Sequence, residues 1–386
     1  MVITDSQITP RRRLAIVLLI AGSAIVLAVL FVGRISGKMP DLAVYWTAAA
    51  RARAAEPLYR AEDGHYQFKY LPAFAVLATP LSTVSLESAK AIWFVASVAL
   101  LAALVALSLR FLPDERKPTW LLAGVTIVVM LKFYGHELVL GQMNAVFAVI
   151  VAAAVVAARK RHESAVGLLI ALAIVIKPYA VIFLPWLLVR RRSVSIVAAT
   201  TATVLALALP ALVYGLHGDI ELHREWWKTV TASTAPNLTN ADNVSIAAMW
   251  AKWIGSGTVA ATLTAVTSVM VLGLATLVCL GRNGLTFPEG LEAALLLTLI
   301  PLLSPQGWDY VFLVSTPALM LLVNYDDLQP PAWRVAIRVA LAVIGLSVYD
   351  IMGRAAYGRF MSLSVITLCY FVVLGGLWEL RRRRIA

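Results

Sequence analysis

The chain has 386 residues, of which 61% are hydrophobic and only 14% charged, and its formal net charge is +12. A soluble domain cannot bury so much apolar surface, whereas a bilayer requires apolar runs of about 20 residues. The basic residues form short runs beside apolar segments, as cytoplasmic loops do, so the charge does not indicate a nucleic-acid partner. The composition predicts an all-α polytopic membrane protein.

The N-terminal part is predicted to contain one span and a large first outer loop. The span covers about residues 14–33, and the basic run 11–13 before it predicts a cytoplasmic N-terminus. Residues 34–89 then lie outside the membrane. Within them, the apolar piece 71–83 is too short to span and is predicted to re-enter the membrane or lie on its surface.

The interval 164–189 has basic runs at both ends and is interrupted at Lys177-Pro178. Each half reaches roughly 18–20 Å at ~1.5 Å per residue, which is short of a hydrocarbon core of ~30 Å. Lys177 is therefore predicted to lie below the outer interface, facing protein or water.

The remaining apolar runs complete the predicted topology. Spans are predicted at about 90–110, 119–135, 141–158, 193–214, 257–280, 290–304, 309–323, 335–352 and 361–380. With the two halves around Lys177, this gives about twelve spans, both termini in the cytoplasm, and one domain, 1–386. A second outer segment covers about 215–256, of which 215–245 is a polar loop. Cys279 and Cys369 lie inside apolar runs and are interpreted as small hydrophobic residues.

Under this topology the polar residues of chemical interest lie on the outer side. They are Asp41, the tip 141–144 with Gln142 and Asn144, Lys177, the 215–245 loop, and the segment 304–310. Asp41 follows Pro40 and is either a solvated loop carboxylate, a helix N-cap, or a general base.

The cationic residues of this side also have two interpretations. A lysine at a helix centre costs roughly 2.5–3.5 kcal/mol on insertion scales. Lys177 therefore either snorkels to the interface or has a partner such as a phosphate. Arg51, Arg53 and Arg60 lie in the first outer loop, against the positive-inside trend. They either indicate an anionic ligand or have no such meaning, because long loops translocate largely regardless of their charge.

The uncharged polar residues leave alternatives open as well. Gln142 and Asn144 either hydrogen-bond between helices or bind sugar hydroxyls. Trp308 and Tyr310 are either interfacial aromatics or a stacking surface for a sugar ring. No cofactor motif is present in the sequence. An enzyme on this side has no nucleotide pool, so its activated donor would have to be carried by the membrane, for example as a lipid phosphate.

An ordered set of short motifs resembles glycosyltransferase family 87, which are polytopic, mannosyltransferase-like enzymes of the membrane C type. The matching pieces are 41–45, 57–59, 68–72, 141–144, Lys177-Pro178, 243–245, Ser304-Pro305, Trp308 and Tyr310. The resemblance implies a C-type glycosyltransferase architecture, and transfer of a sugar, with mannose favoured, from a polyprenyl-phosphate donor to a lipid-linked or glycolipid acceptor. It also implies an inner-membrane location with the active site on the periplasmic side.

The resemblance also implies roles for individual residues. Asp41 would be the catalytic base of an inverting reaction, and Lys177 with Arg51 or Arg60 would hold the donor phosphate. The residues implied for sugar or acceptor binding are Tyr45, Tyr59, Gln142, Asn144, Asn243, Trp308, Asp309 and Tyr310. Family members often carry a histidine directly after the tryptophan, where this chain has Asp309, so the acceptor or donor is expected to differ.

No cofactor and no metal site is predicted, although the sequence leaves a divalent-metal requirement open. Two alternatives to an enzyme are a lipid or glycan transporter, which broken helices favour, and a non-catalytic scaffold in envelope assembly.

Overall fold

A computed structural model describes residue 22 and residues 25–386. The described part is helical, and its one isolated β-bridge joins Asn243 to Trp308. The predicted basic run 11–13 and half of the predicted first span, 14–33, lie outside the described residues. An all-helical architecture is compatible with a bilayer, because a helix satisfies its backbone hydrogen bonds within the segment.

The helices follow one another with short connections. They are α1 (Ile25–Ile35), α2 (Pro40–Arg53), α3 (Pro72–Leu77), α4 (Leu86–Leu109), α5 (Thr119–Leu140), α6 (Asn144–Arg159), α7 (Glu163–Ile176), α8 (Phe183–Val189), α9 (Ser193–Leu207), α10 (Ala211–Asn237), α11 (Ile246–Ile254), α12 (Thr258–Leu280), α13 (Pro288–Leu303), α14 (Thr316–Asn324), α15 (Pro331–Leu346), α16 (Tyr349–Met352), α17 (Arg354–Ser362) and α18 (Val365–Arg382). Five 3₁₀ segments, Ala61–Tyr66, Thr79–Thr83, Pro178–Ile182, Asp309–Ser315 and Asp326–Leu328, connect some of them.

The core lies around α13 and α14. Almost every residue of both helices is buried, and α4, α5, α6, α12 and α18 pack around them. Large apolar residues on the helices that surround this core are exposed instead, for example Val95 at 68% and Val269 at 67%. Exposed apolar side chains of this kind are suited to contact lipid rather than water. The chain is therefore a multi-pass membrane protein.

The expected number of about twelve spans is not confirmed. Among the described residues, α4, α5 and α12 are long and apolar enough to span, and the total reaches five if each of two bent helix pairs counts as one span. The apolar runs are real, but breaks divide many of them into helices of 10–17 residues. At ~1.5 Å per residue, such helices fall short of the ~30 Å core unless two of them pair end to end.

The second outer segment also differs from the expectation. The sequence predicts a polar loop at 215–245, whereas the structure places most of it in α10, which lies at 89° to α9. Between Leu216 and Ala235 the chain has no proline and one glycine, so few residues oppose helix formation.

Candidate active site

Asp41 lies in the first turn of α2, where a carboxylate is favoured by the helix dipole. Pro40 begins the helix, and the preceding Met39 adopts a left-handed conformation with φ of 60°. The Met39 amide donates to the Val139 carbonyl of α5 at 2.9 Å, which fixes where α2 begins. Asp41 is half-buried and follows the cap position, so it is neither a fully solvated loop residue nor the N-cap.

The side-chain amide of Gln142 joins the predicted residues into one hydrogen-bonded network. Its Nε2 donates to Asp41 Oδ2 at 2.6 Å and to the Tyr310 hydroxyl at 3.3 Å. Its Oε1 accepts from the Tyr45 hydroxyl at 3.1 Å and from the Tyr70 hydroxyl at 3.4 Å. The amide is thereby held from both ends, and one carboxylate oxygen of Asp41 has a fixed donor. Asp41, Tyr45, Gln142 and Tyr310 were all predicted site residues.

The surroundings of Asp41 act on its proton affinity in two directions. Burial raises the pKa of Asp41 above its usual value, and the hydrogen bond from Gln142 and the nearby charges of Lys177, His65 and Lys69 oppose that rise. A buried carboxylate with a raised pKa has greater affinity for a proton than an exposed one. This is the property required of a general base.

Lys177 reaches the same region through the break predicted from the sequence. α7 ends at Ile176, Lys177 is extended with φ of −140°, and Pro178 begins a 3₁₀ segment. The proline disfavours the helical conformation for the residue before it. The Lys177 Nζ lies 5.5 Å from the centre of the Tyr70 ring, so its ammonium group faces the Asp41 network.

Gly141 permits the close approach of α2 to the tip between α5 and α6. Its φ is +70°, and a Cβ there would lie 2.8 Å from the Leu42 Cβ and 3.1 Å from the Met39 Cβ. A side chain at this position would push the beginning of α2 away from Gln142.

Asn144 is placed near Gln142 but serves the fold. Its Nδ2 donates to Glu137 Oε2 at 2.8 Å, and the other Glu137 oxygen accepts from the Ala145 amide at 2.8 Å. The buried Glu137 carboxylate therefore caps the start of α6, and Asn144 is part of that cap.

The side chain of Asn243, which was expected to bind the sugar or the acceptor, is hydrogen-bonded within the protein. Its Nδ2 donates to the Pro305 carbonyl at 2.8 Å, and the Val244 amide donates to the Gly307 carbonyl at 2.7 Å. These bonds fix the turn that carries Trp308 and Tyr310, so Asn243 positions the segment rather than contacting the Asp41 network.

Asp309 lies in a buried ion pair that the sequence did not predict. Its Oδ2 is 2.7 Å from the Lys132 Nζ, with both side chains at most 3% exposed, and its Oδ1 is 3.6 Å from His136 Nδ1. The carboxylate of Asp309, which was expected to bind acceptor hydroxyls, is thus already paired with Lys132. The available signal was Lys132 itself, a lysine within the apolar run of α5, which usually has a partner.

The predicted phosphate ligands Arg51 and Arg60 are each paired with a carboxylate. Arg51 Nη2 donates to Asp63 Oδ1 at 2.8 Å, and Arg60 Nη2 donates to Glu56 Oε2 at 2.7 Å. Arg51 also follows Asp41 by ten residues, or about 15 Å along α2.

Tyr59 lies next to the Gln142 network and positions Tyr70, since its hydroxyl donates to the Tyr70 carbonyl at 2.7 Å.

Beside α2, a cavity of about 610 Å³ extends from Pro40 to the Arg51–Asp63 pair, with Val44, Phe68 and other apolar residues in its lining. Within the described residues, no group of three or more His, Cys, Asp or Glu side chains could hold a metal ion.

The helical bundle thus holds a hydrogen-bonded carboxylate, Asp41, near Lys177 and has an apolar cavity beside Pro40. These features are compatible with a membrane enzyme or a carrier. The comparison with protein families decides the class: the model of glycosyltransferase family 87 matches residues 68–305, which is more than half of the chain. The chain therefore belongs to glycosyltransferase family 87 and is a membrane glycosyltransferase. Searches of curated proteins and of solved structures found no significant match.

Proposed function

We propose that the chain transfers a hexose, with mannose the first candidate, from a polyprenyl-phosphate donor to a lipid-linked or glycolipid acceptor. The reaction takes place at the outer, periplasmic face of the inner membrane. The observation that carries this proposal is the Asp41 carboxylate, half-buried and held by the Gln142 amide at 2.6 Å. The motifs shared with the family, rather than a contact in the structure, support mannose and the polyprenyl carrier.

In the proposed reaction Asp41 is the general base and inversion follows from direct displacement. The carboxylate accepts the proton of the acceptor hydroxyl while that oxygen attacks the anomeric carbon. The bond between the anomeric carbon and the phosphate oxygen breaks, and the polyprenyl phosphate leaves with the electron pair. Since attack and departure occur on opposite faces of the sugar, the configuration inverts.

Lys177 is the proposed contact for the donor phosphate. Its ammonium group lies beside the Tyr70 ring, and its charge acts on Asp41. A fixed cation near the leaving group stabilises the charge that develops on the phosphate as the bond breaks. Arg51 and Arg60 are paired with carboxylates, so their participation would first require those pairs to open.

The Gln142 network is the proposed binding surface for the sugar and the acceptor. Tyr45, Tyr70 and Tyr310 present hydroxyls to one amide, and hydroxyls of this kind can exchange partners with a sugar. Trp308 adjoins this surface through the turn fixed by Asn243. The apolar cavity beside Pro40 is large enough for part of a lipid chain.

The test is sugar transfer by the purified chain in detergent or proteoliposomes. Radiolabelled polyprenyl-phosphate mannose, the corresponding glucose donor and a nucleotide sugar are each supplied with a membrane lipid extract. The proposal expects a labelled glycolipid from a polyprenyl-phosphate sugar alone, with the anomeric configuration opposite to that of the donor. Transfer only from the nucleotide sugar, or retention of configuration, would contradict it.

A transporter is the second candidate, since broken helices like that at Lys177-Pro178 also line substrate paths in transporters. The same proteoliposomes distinguish the two: a transporter moves the labelled lipid across the bilayer without forming a glycosidic bond.

A further inference from the structure

A second cavity, lined by charged residues, lies at the end of the bundle opposite Asp41. It has a volume of about 720 Å³. Helices α6, α7 and α13 connect the two regions: each has one end beside the cavity and the other end at Gln142, Lys177 or Ser304. With 14–16 residues each, these helices separate the two regions by about 20 Å. The cavity is therefore distinct from the candidate active site.

The lining of this cavity is strongly cationic. Its charged members are Arg159, Arg161, Arg190, Arg191, Arg192, Arg282, Glu163 and Glu289. These six arginines and two glutamates give an excess of four positive charges. The arginines come from three separate connections, α6–α7, α8–α9 and α12–α13, which only the fold brings together.

The two glutamates are already engaged. Arg190 is paired with Glu289, and Arg192 is paired with Glu163. Burial, together with the charges of neighbouring arginines including Arg192, lowers the pKa of Arg190 below its usual value. The cations thus crowd one another, and their repulsion would be relieved by an added anion.

Arg161 and Arg191 have no such partner among the described carboxylates, and both side chains are exposed at the cavity. Each follows the end of a helix with a left-handed backbone, at φ of 59° and 51°. In both places the amide of the next residue bonds back to a carbonyl of the last helical turn, which is the pattern that normally has glycine at this position. Both arginine side chains are therefore held at the cavity at a conformational cost that glycine would avoid.

The border of the cavity is apolar. Val194 lines it and is 56% exposed, and Leu188 on the preceding helix is 61% exposed. A cationic cavity that opens beside exposed apolar helix surface matches a ligand with an anionic head and an acyl chain. Basic pockets between membrane helices bind phosphate-bearing lipid headgroups in this way.

We propose that this cavity is a binding site for a phosphate-bearing anion, supplied by the headgroup of an anionic phospholipid. The site is independent of sugar transfer, and Arg161 and Arg191 are its principal free cations. Under the positive-inside rule this end of the bundle faces the cytoplasm, so the lipid would come from the inner leaflet.

The test uses the purified full-length chain in detergent, titrated with phosphatidylglycerol, with phosphatidylcholine of the same chain length, and with inorganic diphosphate. Bound lipid is counted by native mass spectrometry. The variant is Arg161→Gln with Arg191→Gln, and the matched control is Arg354→Gln with Arg359→Gln, two exposed arginines of α17 that do not line the cavity. The folded state of each variant is checked by its thermal unfolding midpoint.

The expected result is saturable binding of phosphatidylglycerol that weakens by about tenfold or more in the cavity variant, since each arginine near an anionic headgroup contributes appreciably. The control variant should bind as the wild type does. Competition by diphosphate at low concentration would identify a soluble anion as the ligand and overturn the lipid headgroup as its source. Equal binding of both lipids, or an unchanged affinity in a folded cavity variant, would overturn the proposal.

Discussion

Replacing Gln142 with leucine removes the only described side-chain donor to Asp41 and should change the pH dependence of transfer. The bond from Gln142 Nε2 to Asp41 Oδ2 is 2.6 Å long and lowers the pKa of Asp41 against the effect of burial. A hydrogen bond to a charged group is worth about 1.5–3 kcal/mol, which corresponds to a roughly tenfold to hundredfold change in the protonation equilibrium.

The direction follows from which form of Asp41 is active. The base must be deprotonated, so activity is lost as the pH falls through the pKa of Asp41. Without the donor the proton is bound more tightly, and this loss occurs at higher pH. The Gln142→Leu variant should therefore lose about tenfold or more of its kcat/KM on the acid side, and much less on the alkaline side.

The assay is kcat/KM for transfer from polyprenyl-phosphate mannose, measured over a range of pH for the wild type, Gln142→Leu and Tyr45→Phe. The tyrosine variant is the matched control, because it removes a partner of the amide and leaves the bond to Asp41 in place. A Gln142→Leu variant whose kcat/KM falls equally at every pH would contradict this role, since Gln142 would then act only on the fold.

Three further predictions concern neighbouring features. Lys177→Met should raise the KM for the donor by about tenfold or more, because a hydrogen bond to a charged group is worth about 1.5–3 kcal/mol. The KM for the acceptor should change less. Steady-state kinetics with each substrate varied in turn would measure both values. Lys132→Met should destabilise the chain by about 3–5 kcal/mol, because it removes the buried cation of the Asp309 pair and leaves His136 as the remaining partner of that carboxylate. Adding Asp309→Leu should restore most of that loss in detergent unfolding. Gly141→Ala should lower the free energy of unfolding by about 1–3 kcal/mol, because residue 141 has a positive φ and its new Cβ would press on α2. At Gly124 an added Cβ has no neighbour within 4 Å, so Gly124→Ala should unfold at or above the wild-type midpoint.

The elements that the sequence predicted best are those set by a single strong local signal. The spans predicted at about 90–110 and 257–280 correspond to α4 and α12, because long apolar runs have few alternatives in a bilayer. The break at Lys177 follows directly from Pro178. The number of spans was harder to predict, since hydropathy does not show where a buried apolar run is divided between two short helices.

In the candidate site too, features carried by a local sequence signal could be predicted, and features that depend on distant contacts could not. Asp41, Gln142 and Lys177 could be predicted because short motifs carry them. The Lys132–Asp309 pair joins residues 177 positions apart in the chain, and the partners of Arg51 and Arg60 depend on how residues 54–71 fold against α2. Such pairings depend on the tertiary arrangement, which residue spacing within one sequence does not contain.

The most direct test of the account is sugar transfer by Asp41→Asn compared with wild type at equal expression, using the donor that labels the wild-type product. Glu62→Gln is the matched control, because it neutralises an exposed carboxylate between α2 and α3. The wild type and the control should transfer the label, and Asp41→Asn should lose about a hundredfold or more of the rate, as expected for removal of a general base. Transfer by a folded Asp41→Asn variant at the wild-type rate would contradict the assignment of Asp41 as the base.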